Sequence, residues 1–315
     1  MSAQNNGLPD EFNTQLTPAT SGKGVATFSQ VAHRYHGKNL PNAMTVDVED
    51  YFQVSAFENA IPRRDWASMP ARLPHNVERI LQLFESENVK ATFFALGWVC
   101  EKFPELIRDI AAAGHEVASH GHEHSRVGTF SPKLFRRDVE GTRKRLEDIS
   151  GTSVIGYRAP SFSINAETLW AHDVLLESGY KYSSSVFPIK HDHYGLAEAP
   201  RFPFLSSSEG ILEIPLSSLS LFNRNWPCAG GGYFRLLPLC YSKWAMRRIN
   251  QKEKMPGVFY FHPWEIDPDQ PRIKGISAMS KFRHYVNLSR FERRLIEMLR
   301  SFRWDRMDRI FLDRS

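Results

Sequence analysis

Three cysteines are all that this chain of 315 residues contains, and Cys100, Cys228 and Cys240 form no CxxC pair. An odd number at scattered spacings gives no disulfide framework, and a chain this long can bury a core without one. Long apolar runs are also missing. The most hydrophobic stretch, "ATFFALGWVC" (91–100), is about half the length that a bilayer span requires. The opening segment "MSAQNNGLPDEFNTQLTPATSGKG" lacks a basic n-region followed by an apolar h-region, so no secretory signal is expected. These absences lead to the expectation of a cytoplasmic protein with reduced thiols. No sequence unit is duplicated, which excludes a solenoid. "GGG" at 230–232 lacks the GK[ST] ending of a phosphate loop, and is read instead as a tight turn or a close backbone approach. Ser184 and Ser185 have no nucleophile elbow around them, so a serine hydrolase is rejected. With no zinc-finger, RRM or helix-turn-helix pattern, nucleic acid is not an expected partner.

What is present has an ordinary globular balance: 42% hydrophobic, 12% aromatic and 24% charged residues, enough for one large or two modest domains. The net charge of +5 is unevenly placed. Residues 271–315 carry twelve Lys/Arg against five Asp/Glu, and the rest of the chain is close to neutral. Such a tail suits peripheral contact with an anionic membrane or a polyanionic sugar, or simply a solvated helix face.

Residues 1–40 hold few large apolar side chains and are read as a flexible N-terminal arm. An alternation then begins. "AMTVDVED" (43–50) is a predicted strand ending in acids. "PHNVERILQLFESEN" (74–88) spaces Val77, Ile80, Leu81 and Phe84 as one helix stripe. "VKATFFALG" (89–97) and "HEVASHG" (115–121) are predicted strands around a helix at 104–114, and Ser131 and Pro132 start another helix running to Gly151. "SVIGYRAP" (153–160), "YKYSSSV" (180–186), "GILEIPLSSLSLF" (210–222) and "GVFYFHP" (257–263) complete the strands; 165–179 and 236–255 read as helices. This rhythm predicts an α/β fold with a parallel sheet. Residues 187–235 break it and are expected to be long loops near a site. In the last 45 residues, Phe291, Leu295, Met298 and Phe302 predict a helix packed on the outside.

The reactive side chains collect at predicted strand ends: Asp47, Glu49 and Asp50 after the first, His120 and His124 after the third, Arg158 after the fourth and His262 after the last. In parallel barrels that rim is where chemistry is built. His120 and His124, four apart, can present two imidazoles to one point, with His122 as a spacer. Two histidines and one carboxylate hold a metal with open positions, as hydrolysis needs. Asp47, deepest in the strand, is the expected base, and the ligand is either Glu49 or Asp50. Arg158 would hold the base ionised and oriented, and His262 is placed to protonate a leaving amine.

Taken together, these segments resemble the polysaccharide deacetylases of the NodB-homology type, carbohydrate esterase family 4, over about residues 40–270. "TVDVED" is similar to the motif carrying base and metal-ligand aspartates, "SHGHEH" to the His-x-x-x-His metal motif, "YRAPS" to the base-bracing arginine motif and "FYFHP" to the general-acid motif. The resemblance implies a distorted (β/α) barrel at 41–270, between the arm at 1–40 and a basic C-terminal helical extension at 271–315. It implies a divalent metal, zinc first, held by His120, His124 and Glu49 or Asp50. Asp47 would be the base, His262 the acid and Arg158 the brace, with Pro160, Tyr194, Tyr233 and Trp264 around an N-acetylated glycan. The segments "TVDVEDYFQVSAFE", "GGGYFRLLP", "YFHPWEIDP" and "FRHYVNL" are similar to a subgroup tied to exopolysaccharide synthesis. Ser183 stands where the family's fourth motif supplies an acid to tune the histidine. That departure keeps two alternatives in view: an allantoinase-like C–N hydrolase, and a sugar-binding subunit with a vestigial metal site.

Overall fold

The computed structural model describes residues 29–30, 40–190, 195–207 and 210–312. Its strands, in chain order, are β1 (Ser29–Gln30), β2 (Pro41–Val48), β3 (Thr92–Ala95), β4 (Glu116–Ser119), β5 (Gly156–Tyr157) and β6 (Tyr182–Ser183). There follow β7 (Phe204–Leu205), β8 (Leu212–Glu213), β9 (Ser218–Leu221), β10 (Arg224–Pro227), β11 (Val258–Phe261) and β12 (Arg303–Asp305). One curled sheet runs β1-β7-β8-β6-β5-β4-β3-β2-β11, parallel throughout except where β7 meets β8 and β1 meets β7. This is the expected α/β barrel in open form. Apart from Ser29–Gln30 and Leu40, the proposed N-terminal arm lies outside the described residues.

Strand alternation decides what each face does. Along β2, Met44, Val46 and Val48 pack into the core under the helices, whereas Ala43 joins the interior cluster with Phe94, Ala118 and Tyr182. Asp47 shares that interior parity. The flanking helices are α1 (Leu73–Ser86), α2 (Gly97–Lys102), α3 (Pro104–Ala112), α4 (Pro132–Ser150) and α5 (Trp170–Glu177). Val77, Ile80 and Phe84 of α1 and Phe135, Val139 and Leu146 of α4 are buried, as their spacing predicts. Each such side chain contributes about 1.5–3 kcal/mol by leaving water. The Ser131 hydroxyl accepts from the Leu134 N–H at the start of α4, and Gly151 (φ 67°) closes its end.

The second half departs further from expectation. Within residues 187–235, β8 and β9 fall on the strand predicted at 210–222, whereas β7 and β10 stand where loops were expected, β10 pairing with β9 as an antiparallel hairpin. A separate short helix, α6 (Gly231–Leu236), comes next, and the helix predicted at 236–255 is present as α7 (Leu239–Arg248), continued by a π-helical turn at Ile249–Glu253. Gly230, at φ 123°, brings its backbone against β11; a Cβ there would sit 2.0 Å from the Tyr260 carbonyl oxygen. Beyond 270 come α8 (Ala278–Tyr285), α9 (Leu288–Ser301) and α10 (Met307–Phe311). Helix α9 buries Phe291, Leu295 and Met298 as predicted. The chain then enters the sheet: β12 pairs with the first three residues of β2, and Met307, Ile310 and Phe311 fill the barrel interior. Several tail arginines are engaged there. Arg294 donates to the carbonyls of Phe234 and Arg235, Arg300 pairs with Glu87, and Arg306 pairs with Asp308.

Candidate active site

Strand β2 delivers the acids. Asp47 is its last inward-facing residue, and the next residue of the same parity, Glu49, follows immediately beyond the strand. The Glu49 N–H donates to the Asp47 carbonyl at 2.9 Å, turning the chain at the rim. Asp50 points elsewhere. Its carboxylate accepts from the N–H groups of Tyr51, Arg72 and Leu73 at 2.8–3.0 Å, satisfying donors at the start of α1. Burial pushes its carboxyl up to about 6 against those donors. Of the two candidate ligands, Glu49 stands with the histidines and Asp50 serves the helix.

The histidines follow β4 in a loop rather than a helix. The first N–H groups of α2, those of Gly97 and Trp98, donate to the carbonyls of Gly121 and His122 and pin this loop. His124 adopts a left-handed backbone conformation (φ 53°), uncommon for a residue with a Cβ and characteristic of functional sites. Glu49, His120 and His124 are all buried, and among the described residues their ligand atoms come within 4.8 Å of one another. His122 is turned aside against Gly97.

The donor set fits a divalent cation. His120 Nδ1 is engaged by the Arg158 carbonyl at 2.8 Å, which leaves Nε2 as the free ligand atom. Burial holds this imidazole down at about 4, so it is neutral at pH 7. Burial alone would raise the Glu49 carboxyl, but His124 first, then His262 and His120, bring it to about 2. Its Oε2 lies 2.8 Å from His124 Nε2, yet without hydrogen-bond geometry, and so remains a buried, unmatched acceptor. Two imidazoles and an unmatched carboxylate oxygen are the donor chemistry of a zinc-type site.

Two proton-handling groups flank this set. The Arg158 guanidinium, fully buried, donates to Asp47 Oδ1 at 2.6 Å, to Thr45 Oγ1 at 2.8 Å and to the carbonyl and hydroxyl of Ser184. It also lies 4.0 Å above the Phe94 ring. His262 Nε2 is 3.6 Å from Glu49 and 3.9 Å from Asp47. Its Nδ1 lies 3.0 Å from Glu265, whose other oxygen receives Arg235 Nε at 2.6 Å. Burial opposes the charged imidazole, but Glu265, Glu49 and Asp47 raise it to about 9. Glu265 is in turn held below its ordinary value, against burial, by Arg235 and His262.

Six predicted residues therefore meet: Asp47, Glu49, His120, His124, Arg158 and His262. Pro160 borders the histidine loop near Gly121. Trp264 is not an open sugar platform. It is buried, stacks parallel to His262 and His284, and Arg235 lies over its ring, because the sequence after β11 turns inward through a 3-10 helix. Tyr233 is half-buried on α6, and the residue that reaches the site from that helix is Arg235. Tyr194 lies outside the described residues. Ser183 is buried and donates to Ser185. Glu265 and Arg235 were missed. Arg235 is fixed by the carbonyls of Arg283, His284 and Val286, so "GGGYFR", "HPWE" and "FRHYV" form one structure behind His262. A cavity of about 770 Å³ beside α1 and α3 contains none of these residues.

A buried cluster at the rim, able to hold a metal, stands between an arginine-held carboxylate and a glutamate-held imidazole on an open (β/α) barrel. Residues 65–182 match the polysaccharide deacetylase family, and residues 184–312 match a domain of unknown function, DUF3473. Over the first of these segments the chain carries a polysaccharide deacetylase domain of the NodB-homology type. It is 31% identical over 110 residues to a peptidoglycan deacetylase of Helicobacter pylori, covering 35% of this chain and 36% of that one. It is 33% identical over 94 residues to a peptidoglycan-N-acetylglucosamine deacetylase of Bacillus cereus, covering 30% and 34%. The chain thus spans about a third of the length of the curated relatives it matches. A solved structure from Mycobacterium smegmatis, provisionally named a polysaccharide deacetylase, superposes with a TM-score of 0.58 at 20% identity over 94% of this chain and 93% of that one. That likeness shows the fold.

Proposed function

We propose that the protein is a metal-dependent hydrolase that removes N-acetyl groups from a polysaccharide or its precursor. One observation carries this reading: Asp47, braced by Arg158, and His262, braced by Glu265, both stand within 4 Å of another group of the buried cluster that contains Glu49. A divalent cation held by Glu49, His120 and His124, zinc by preference, would supply Lewis acidity toward the amide carbonyl and an acidified water. Asp47 takes the proton from the attacking water. The carbon–nitrogen bond breaks, acetate forms, and His262 delivers a proton from Nε2 to the departing sugar amine. Glu265 keeps Nδ1 occupied, so that Nε2 is the nitrogen turned to the reaction.

Glu265 also supports catalysis over a vestigial sugar-binding role, since it gives His262 the carboxylate partner that Ser183 cannot. The names of the relatives make N-acetylglucosamine polymers the first substrates to try, and the "GGGYFRLLP" and "FRHYVNL" segments support an exopolysaccharide as the narrower choice. We take residues 41–312 as one catalytic unit, because Arg235 is held by carbonyls beyond residue 270. Among the described residues no helix is long and apolar enough to cross a membrane. The test is acetate release by zinc-loaded protein from N-acetylglucosamine oligomers and N-acetylated exopolysaccharides. Asp47→Asn should retain zinc and lose ~10²–10⁴-fold in rate. Ring opening of a cyclic amide without acetate release would favour the allantoinase-like alternative.

A further inference from the structure

Between Asp269 and Glu292 the chain has no acidic residue but five cations, Arg272, Lys274, Lys281, Arg283 and Arg290. All five are exposed. Among the described residues none of them pairs with a carboxylate, and the flanking acids are taken, Asp267 by Arg72 and Glu292 by Arg79. A solvated face elsewhere in this protein looks different. On α4, Arg136 and Arg143 are matched by Glu140, Glu177 and Glu147. Further along the tail, Arg294, Arg300 and Arg306 are engaged within the fold. The positive charge around α8 is left over from folding.

The same helix exposes two large apolar side chains, Met279 (58%) and Phe282 (53%), three residues apart on one face. They are not displaced core residues, because Ile273, Ile276 and Tyr285 already turn inward onto the cluster that contains Trp264. The surface is also formed in advance. Ser277 Oγ accepts the Ser280 N–H at 3.0 Å and caps α8, and Tyr285 Oη accepts the Ile273 N–H at 2.9 Å. Arg272 lies 4.2 Å from the centre of the Tyr285 ring. A partner that docks here therefore bears little cost of ordering. Apolar side chains without polar tips, set among unpaired cations, suit an anionic bilayer: the cations meet phosphates while Met and Phe enter the acyl boundary. A hydrated polyanionic glycan would use the cations but leave Met279 without a role.

We propose that residues 271–285 dock the protein on an anionic lipid surface, with Met279 and Phe282 entering the interface. The buried side of α8 carries His284, stacked 4.1 Å from Trp264, which is stacked 5.1 Å from His262. Docking through α8 thus anchors the barrel rim that holds the candidate site. The inference goes beyond the deacetylase reading and does not depend on it, since it is read from binding alone. The test is co-sedimentation of the full chain with phosphatidylcholine vesicles, with and without phosphatidylglycerol. Binding should require phosphatidylglycerol and weaken as salt rises. Lys274→Gln combined with Lys281→Gln should lower partitioning by roughly tenfold or more, about fivefold for each cation. Met279→Ser combined with Phe282→Ser should also lower it by roughly tenfold, with the charge unchanged. These side chains are exposed, so the thermal unfolding midpoints should match wild type. Phe222→Ser, which removes the 93% exposed side chain at the tip of the β9–β10 hairpin, should bind as wild type does. Three results would overturn the proposal: no binding to phosphatidylglycerol vesicles, a loss in Phe222→Ser equal to that in the α8 variants, or binding to polygalacturonate in place of vesicles.

Discussion

Glu49 and Glu116 are both buried glutamates of the same sheet, one past the end of β2 and the other at the start of β4. In register, Glu116 lies in the row of Thr45 and Thr92, so Glu49 is four residues, about 13 Å, further along the strands. Burial raises both carboxyls, and their neighbours then decide. Around Glu49 stand three imidazoles, which drive it down to about 2. Glu116 has Asp308 nearby and hydroxyls from Thr92 and Tyr182, and it is pushed up to about 8. The first is an anion waiting for a cation; the second is a neutral acid that ties β4 to the C-terminal segment through the Asp308 N–H. Burial alone does not mark a site. The charges around it do.

Breaking the Glu49 end should have the largest effect. Glu265→Gln keeps a hydrogen-bond partner for His262 but removes the charge shared with Arg235. It should lower kcat by ~10–100-fold with zinc content unchanged, checked by steady-state kinetics beside metal analysis. Metal removal comes next. Saturating zinc at 100 times Kd should stabilise the wild type by about 2.7 kcal/mol, and chelation should reverse it, as thermal unfolding will show. Asp50→Asn should keep that zinc response while losing ~1 kcal/mol of basal stability, because its role is to satisfy α1. At Glu116 the expected change is one of pH dependence. Its folded-state value exceeds its ordinary one, so its contribution is full below about 4.5 and fades as pH rises through about 8. Glu116→Gln should flatten that fall in denaturation midpoints measured from pH 5 to 9.

The sheet and the segments "TVDVED", "SHGHEH", "YRAPS" and "FYFHP" were legible because they rest on local signals: strand parity, helix stripes and residues at strand ends. Parity even contained the choice between the acids, since Asp47 and Glu49 share a face and Asp50 does not. Glu265 and Arg235 were hidden because their pairing spans 30 residues and depends on carbonyls some 50 residues beyond Arg235. Trp264 was expected around the glycan, and a tryptophan beside a candidate catalytic histidine carries no sign of which way the chain turns. β12 was missed for a similar reason: "RWD" has three residues and no alternation, and only its pairing with β2 makes it a strand.

Equilibrium zinc binding by wild type, Glu49→Gln and Glu116→Gln tests the comparison most directly. The account predicts one tightly bound equivalent in wild type and Glu116→Gln, and an affinity at least ~100-fold weaker in Glu49→Gln. Wild-type affinity in Glu49→Gln would contradict it.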